Sequence, residues 1–380
     1  MTGLGGSIVR QKARDATVAA MGRFVKIHEL QSHASRVISA LTGSEAGCIT
    51  ASASAGITLA VAGCLTGTDA ARTEALPRNP GSRNKVAVQL GHLCNYGAPV
   101  STAIELSGAE VLQVGSSTVA TDYQLEAALG DETAAALYVV SHHVVHYGQI
   151  PFERFVEIAH RKKTPVIVDA ASEYDLHRFI DGGADIVIYS GHKFMGGPTA
   201  GIIAGRRELV RAAYLQNIGI GRGMKVGKES IAGAICAMEQ WLERDHAMIL
   251  AEESAALDLW LHAVESFAGI AARRIDDPTG NPLQRLQIDV DQKIAGASAA
   301  GFARALSELK PSIIVRDHEV ELGYFQLDPC NLAPGQAELV AEALQQILPN
   351  GAAIVARNND HSAARNGGAD AYLNWLGGSN

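Results

Sequence analysis

The chain is short of cysteines and aromatic side chains, has no long apolar run, and carries no surplus of positive charge. Each shortage closes off a class of protein. Its five cysteines, Cys48, Cys64, Cys94, Cys236 and Cys330, are far apart, odd in number and form no Cys-x-x-Cys pair. That spacing points to free thiols in a reducing compartment, not to a disulfide framework. A formal net charge of −8 argues against nucleic acid as the main partner, because phosphate backbones are held by clustered Lys and Arg. No stretch stays apolar for the length of a membrane span, and the N-terminus lacks a basic-then-apolar export signal. The expected location is the cytoplasm, with no membrane partner. Aromatics make up 5% of the chain while glycine supplies 39 residues, a balance that suits close helix–sheet packing and loops that approach a ligand.

What remains is an ordinary globular composition, 47% hydrophobic and 19% charged over 380 residues, enough for one large domain and a smaller one. Residues 8–44 read as helical, with Val37, Ile38 and Leu41 spaced for one face and Gly43 as a stop. A first strand over Ala46–Thr50 enters the small-residue turn 51–56 and then a helix over Ile57–Leu65. Further buried strands are predicted at Lys85–Leu90, Glu110–Val114, Ala136–Val140, Pro165–Val168, Ile186–Ser190 and Gly201–Ala204, with helices such as Thr102–Ser107, Tyr123–Leu129 and Phe152–Lys162 between them. Short apolar runs alternating with helices predict an α/β domain with a mainly parallel sheet. A glycine-rich basic turn, Gly219–Lys228, then leads into a long amphipathic helix over roughly Glu229–Phe267. Runs at Leu283–Val290, Ser312–Val315 and Tyr324–Leu327 around a helix near Ser298–Leu309 predict a small α+β domain. The expected divisions are a helical segment 1–44, a large domain 45–228, a small domain 229–357 and a polar tail 358–380.

Two strand ends carry the chemistry. Lys193 lies in Tyr189-Ser190-Gly191-His192-Lys193-Phe194-Met195-Gly196-Gly197-Pro198, and Asp169 closes the run Val166-Ile167-Val168, 193 − 169 = 24 positions earlier. Alone, the lysine reads as a surface charge and the aspartate as a helix cap. Together, at one edge of a parallel sheet, they match the two groups that pyridoxal phosphate requires. One is an amine to form a Schiff base, and the other a carboxylate to keep the pyridine nitrogen protonated. Around them, Ser52-Ala53-Ser54-Ala55-Gly56 offers backbone N–H groups at a helix start for a phosphate. Ser190 stands three positions before the lysine to give the same phosphate a hydroxyl. His92 is the first candidate for a flat group against the ring, with Tyr96 second, and Ser141 is placed for the pyridine 3-oxygen. His142, His143 and His146 invite a zinc reading. Neighbouring histidines point to opposite faces of an extended chain, however, and no cysteine or carboxylate has the companion spacing. No metal is expected.

These residues resemble fold-type I pyridoxal-phosphate enzymes, and within them the selenocysteine synthase-like group that includes D-glucosaminate-6-phosphate ammonia-lyase. The likeness runs through Leu4-Gly5-Gly6-Ser7, His28-Glu29-Leu30-Gln31, Ser52–Gly56, Gln89-Leu90-Gly91-His92, Val168-Asp169-Ala170-Ala171-Ser172-Glu173, Tyr189–Gly201, Met224–Glu229 and Val315-Arg316-Asp317-His318-Glu319. It implies a seven-stranded, mainly parallel large domain with a small C-terminal domain, and a homodimer or higher oligomer. Lys193 matches the Schiff-base lysine and Asp169 the pyridinium partner. Ala53, Ser54 and Ser190 match phosphate ligands, with His192 beside the lysine. Arg316 resembles the arginine that grips a substrate carboxylate, a task suited to a planar fork. Arg222 or Lys225 is expected to reach a neighbour's cofactor phosphate.

The implied activity is a lyase removing a β-hydroxyl, with ammonia release, from a small amino acid or amino-sugar acid to give a 2-keto acid. Loss of the Cα proton is common to β-elimination, racemisation and transamination, so aldolase, racemase and sulfur or selenium transferase activities stay open, as does a non-catalytic binding protein. The Leu-Gly-Gly-Ser motif begins at residue 4, and the large tRNA-binding region of true selenocysteine synthases has no counterpart. With the acidic balance, no tRNA substrate is expected.

Overall fold

Apolar runs of four to seven residues, buried on both faces except in the edge strand Glu110–Val114, make the central sheet. They are β1 (Ala46–Thr50), β2 (Lys85–Gln89), β3 (Glu110–Val114), β4 (Thr133–Val139), β5 (Val166–Asp169), β6 (Ile186–Ser190) and β7 (Gly201–Gly205). The computed structural model describes residues 4–357 together with residues 369, 372, 373, 375 and 376. Within it the strands lie in the order β1-β7-β6-β5-β4-β2-β3. Every neighbouring pair is parallel except those of β7, which runs antiparallel to β1 and β6. β1 therefore points the same way as β6, and the C-terminal ends of β1, β2, β4, β5 and β6 open on one edge. That edge is where parallel α/β sheets bind ligands.

Helices cover both faces. α1 (Gln11–Met21) and α2 (Ile27–Thr42) pack with the helix Lys228–Leu242 over one face. α3 (Ala53–Thr66) lies on the other, buried on almost every side. Each fully buried aliphatic side chain in these layers contributes roughly 1.5–3 kcal/mol. α3 is rich in small residues because it runs close to the helix Arg207–Leu215. A Cβ on Gly63 would sit 2.7 Å from the backbone nitrogen of Ala213.

The chain divides into two compact units, Met1–Arg244 and Asp245–Asn380. The long helix expected over Glu229–Phe267 is in fact two helices, Lys228–Leu242 and His246–Val264. The break comes where the Asp245 side chain accepts the N–H of Met248 and caps a new helix. The helix Lys228–Leu242, packed on α1 and α2, falls within the first unit.

The second unit holds an antiparallel sheet in the order β10-β9-β8, made of β8 (Ile270–Asp276), β9 (Gln284–Val290) and β10 (Tyr324–Leu327). Its core includes Trp260, Phe302 and Phe325. Ser312–Val315, expected as a strand, is not one; only Arg316 beyond it makes a bridge, to Gln326. No described helix is long and apolar enough to cross a membrane. The tail expected over 358–380 lies, apart from five positions, outside the described residues. Among those five, Tyr372, Leu373, Trp375 and Leu376 are exposed.

Candidate active site

The sheet edge assembles the site from turns. After β1, Ser52 takes an extended conformation and its side chain caps α3 by accepting the N–H of Ala55 at 3.0 Å. The N–H groups of Ala53 and Ser54, one turn earlier than any helical acceptor reaches, find no acceptor among the described residues. They form an anion cradle at the positive end of a fourteen-residue helix. Tyr96 stands beside it, its hydroxyl 3.5 Å from Ser54 Oγ.

At the centre of the edge, Asp169 ends β5 opposite Ile188 of β6. Burial pushes its carboxyl up to about 6, against the pull of the Lys193 charge and of the Ala171 N–H, which donates to Oδ1 at 3.3 Å. A carboxylate so placed is costly unless a cation meets it. Lys193 follows β6, and its Nζ donates to Ser172 Oγ at 2.5 Å. Ser172 escaped the sequence reading. It stands three residues after Asp169, and a plain serine in a loop gives no signal until the fold brings it to the lysine.

The lysine loop is clasped from outside the sheet. The Ser7 N–H donates to the carbonyl of His192 at 3.0 Å, Ser7 Oγ donates to the carbonyl of Lys193 at 3.1 Å, and the Arg10 N–H donates to the carbonyl of Gly196 at 2.9 Å. Gly6 adopts φ +98°, and a Cβ there would meet His192 at 2.9 Å. The Leu-Gly-Gly-Ser motif is thus a strap that fixes where Lys193 stands.

The remaining candidates are distributed as follows. Ser190 is buried, with Oγ 3.0 Å from Nδ1 of His192. Burial, and then the Lys193 charge, lower the affinity of the His192 ring for a proton. His92 is buried, its Nδ1 accepting the Val139 N–H at 3.2 Å and its ring edge-on to Tyr138 at 4.6 Å. Burial, and then His146, push it down to about 4, so it is neutral. Tyr96 and Cys94 both feel the Asp169 charge; burial pushes the Cys94 thiol up to about 11, leaving it protonated. Ser141 Oγ accepts the His143 N–H at 3.2 Å, closing a turn after β4. That turn corrects the expectation for His142 and His143. The chain is not extended there, and the two rings lie 3.9 Å apart.

In the second unit, Arg316 is largely buried. Its Nε lies 3.6 Å from Asp328 Oδ2, an atom that Arg285 Nε also reaches at 3.2 Å. Burial, and then Arg285, lower its affinity for a proton. Arg222 and Lys225 are exposed on the basic turn.

A molecule with a phosphate, an aldehyde and a ring nitrogen that must stay protonated fits the first unit group by group. Orphan N–H donors, an amine and a buried carboxylate are all present at one edge. Comparisons agree. The family described as SelA: L-seryl-tRNA selenium transferase matches residues 2–317. D-glucosaminate-6-phosphate ammonia lyase of Salmonella typhimurium (strain 14028s / SGSC 2262) is 38% identical over 93% of this chain and 94% of its own. A solved structure of D-glucosaminate-6-phosphate ammonia-lyase superposes with a TM-score of 0.82 at 37% identity, covering 93% of this chain and 94% of that one. Aspartate aminotransferase from Thermus thermophilus, 12% identical with a TM-score of 0.54 over 90% of each chain, shares the fold alone. That is the fold of type I pyridoxal-phosphate enzymes. The chain is an enzyme of this fold type and belongs to the SelA, L-seryl-tRNA selenium transferase, family.

Proposed function

We propose that the enzyme is a pyridoxal-phosphate-dependent lyase that removes a β-hydroxyl, with release of ammonia, from a small amino acid or amino-sugar acid to give a 2-keto acid. The observation that carries this reading is the meeting of the Lys193 amine and the buried Asp169 carboxyl at neighbouring strand ends. It occurs in a chain 38% identical to a lyase named for an amino-sugar acid.

In this reading the backbone N–H groups of Ala53 and Ser54, with Ser190, hold the cofactor phosphate. His92 and Tyr96 would flank the ring, Ser141 and His192 would lie beside it, and the Asp169 carboxylate would accept a hydrogen bond from the protonated ring nitrogen. When bound, the cofactor supplies an electron-poor ring that accepts the electron pair left at the substrate Cα. Lys193 would act as general base at that carbon, its amine taking the Cα proton. Ser172 holds the amine in place beforehand. Loss of the β-hydroxyl as water leaves an enamine, which takes up one water and yields the 2-keto acid and ammonia. Arg316 is assigned the substrate carboxylate. The enzyme works as a homodimer or higher oligomer in the cytoplasm, with Arg222 or Lys225 reaching a neighbour's cofactor phosphate.

The test has two parts. Borohydride reduction and peptide mapping place the pyridoxyl group on Lys193. Assays across D- and L-β-hydroxy amino acids and amino-sugar acids, including D-glucosaminate 6-phosphate, find matched release of keto acid and ammonia. Label on another lysine, or aldehyde release in place of ammonia, defeats the reading.

A further inference from the structure

A cavity of about 490 Å³ opens in the second unit, between the helix His246–Val264 and the hairpin of β8 and β9. Leu250, Glu253 and Leu257 line it from the helix, at a spacing that puts all three on one face. Asp276, Asp277 and Leu283 line it from the end of the hairpin. Its size falls in the range of small-molecule sites, roughly 300–1,000 Å³. Every lining residue belongs to this unit, and none is assigned to the cofactor or to the reacting substrate.

The hairpin wall is fixed before any ligand arrives. Asp277 Oδ1 accepts the Thr279 N–H at 2.9 Å and the Thr279 hydroxyl at 2.6 Å, and Asn281 Nδ2 donates to the same oxygen at 3.3 Å. Arg285, buried and not part of the lining, pairs with the other oxygen. Burial pushes the Asp277 carboxyl up, but Thr279 and Arg285 together hold it below the usual carboxylate range. Its charge is thus answered inside the protein.

Asp276 is different. It stands exposed at the cavity, where Gln284 Nε2 donates to its Oδ1 at 2.9 Å. Among the described residues, no Lys, Arg or His lies within ion-pair distance of it. Glu253 brings a further carboxylate from the helix, and no described residue of the lining is a Lys, Arg or His.

Two properties define the occupant. Carboxylates on both walls, with no cation in the lining, favour a positive charge. The three leucines favour an aliphatic body, because apolar surface brought against them leaves water. A divalent metal ion meets only the first condition: it wants about six or more oxygen ligands and gains nothing from leucine. We propose that this cavity binds a small aliphatic ammonium ion, its charge between Asp276 and Glu253 and its chain against Leu250, Leu257 and Leu283. This is a second ligand site, and nothing in it depends on the lyase reading.

The experiment titrates the full-length protein, with its cofactor bound, by calorimetry with N,N-dimethylbutylamine. This tertiary amine is protonated at neutral pH and cannot form a Schiff base with the cofactor aldehyde. Butan-1-ol and butyrate match its chain without the positive charge, and magnesium ion supplies charge without the chain. Wild type binds the amine saturably and in preference to all three. Asp276→Asn and Glu253→Gln each weaken that binding about fivefold or more, the worth of one unit charge at close range in water. Asp276→Glu keeps the charge and most of the affinity, which separates lost charge from a disturbed hairpin. Leu250→Trp fills the cavity and abolishes binding. Equal affinity in wild type, Asp276→Asn and Glu253→Gln overturns the site, as does no saturable binding to wild type. Magnesium that binds more tightly than the amine and displaces it overturns the assigned ligand class.

Discussion

Ser172 Oγ accepts a hydrogen bond from Lys193 Nζ at 2.5 Å, across the mouth between β5 and β6. The serine follows Asp169 by three residues in the loop after β5, so one loop supplies both the buried carboxyl and a partner for the lysine amine.

Removing that hydroxyl tests how tightly the amine is positioned. A hydrogen bond to a charged group contributes about 1.5–3 kcal/mol, and about 1.4 kcal/mol is tenfold in rate. Ser172→Ala is expected to lower kcat by roughly tenfold or more while retaining pyridoxal phosphate, and Ser172→Thr to restore most of the loss. A Ser172→Ala enzyme with wild-type kcat means the contact has no part in turnover.

Asp169 makes a prediction about pH. Its carboxyl is pushed up to about 6 in the folded protein, against about 3.9 in an unfolded chain. The folded state therefore binds more protons than the unfolded state between about pH 4 and pH 6, and stability falls as pH rises through that window. At about 1.4 kcal/mol per unit, ionising Asp169 costs the cofactor-free protein on the order of 3 kcal/mol. Asp169→Asn removes that cost. Urea unfolding of cofactor-free proteins should show the variant gaining on wild type from pH 4 to pH 8. The holoenzyme behaves oppositely in turnover, since a neutral amide cannot keep the ring nitrogen protonated and activity is mostly lost. A stability gap that does not widen with pH would show that the carboxyl is already compensated.

Gly201 opens β7 directly against the phosphate cradle. A Cβ there would collide with the carbonyl of Ser52 and the hydroxyl of Thr50. Gly201→Ala is expected to cost about 1–3 kcal/mol of stability and to displace the turn that aims the Ala53 and Ser54 N–H groups. Cofactor dissociation, followed by dialysis and absorbance, should be faster than in wild type. Unchanged retention would remove this turn from the phosphate site.

The large sheet was legible because its strands are mostly buried on both faces and read as continuous apolar runs. All seven runs expected from the sequence are strands, with ends shifted by a few residues. β8 was not legible: Ile270–Asp276 is only partly buried and carries Arg273 and Arg274, so no apolar run marks it. The break at Asp245 was hidden because apolar residues continue on both sides and only one capping aspartate signals it. Asp169 and Lys193 stood out as charges at strand ends. Ser172 did not, because its significance lies in a partner far away in sequence.

Arg316 carries the last prediction. The resemblance assigns it the substrate carboxylate, and within its own unit it is held by a network. Arg285 pairs with Asp277 and shares Asp328 Oδ2 with Arg316. Asp328 thus answers two guanidinium groups at once; burial pushes its carboxyl up, but Arg316, Arg285 and the Cys330 contacts together hold it below the usual carboxylate range. An arginine steered in this way presents its fork at a fixed angle, which a carboxylate can meet with two parallel bonds and an ammonium cannot reproduce. Arg316→Lys is expected to lower kcat/KM about tenfold or more, with pyridoxal phosphate content unchanged. Part of the loss falls on kcat, because a substrate held at the wrong angle presents its Cα–H bond badly for proton transfer. Asp328→Asn should lose less, since it misaims the fork without removing it. Wild-type kinetics in both Arg316→Lys and Arg316→Ala would take Arg316 out of the site and leave Arg222 as the next arginine to test.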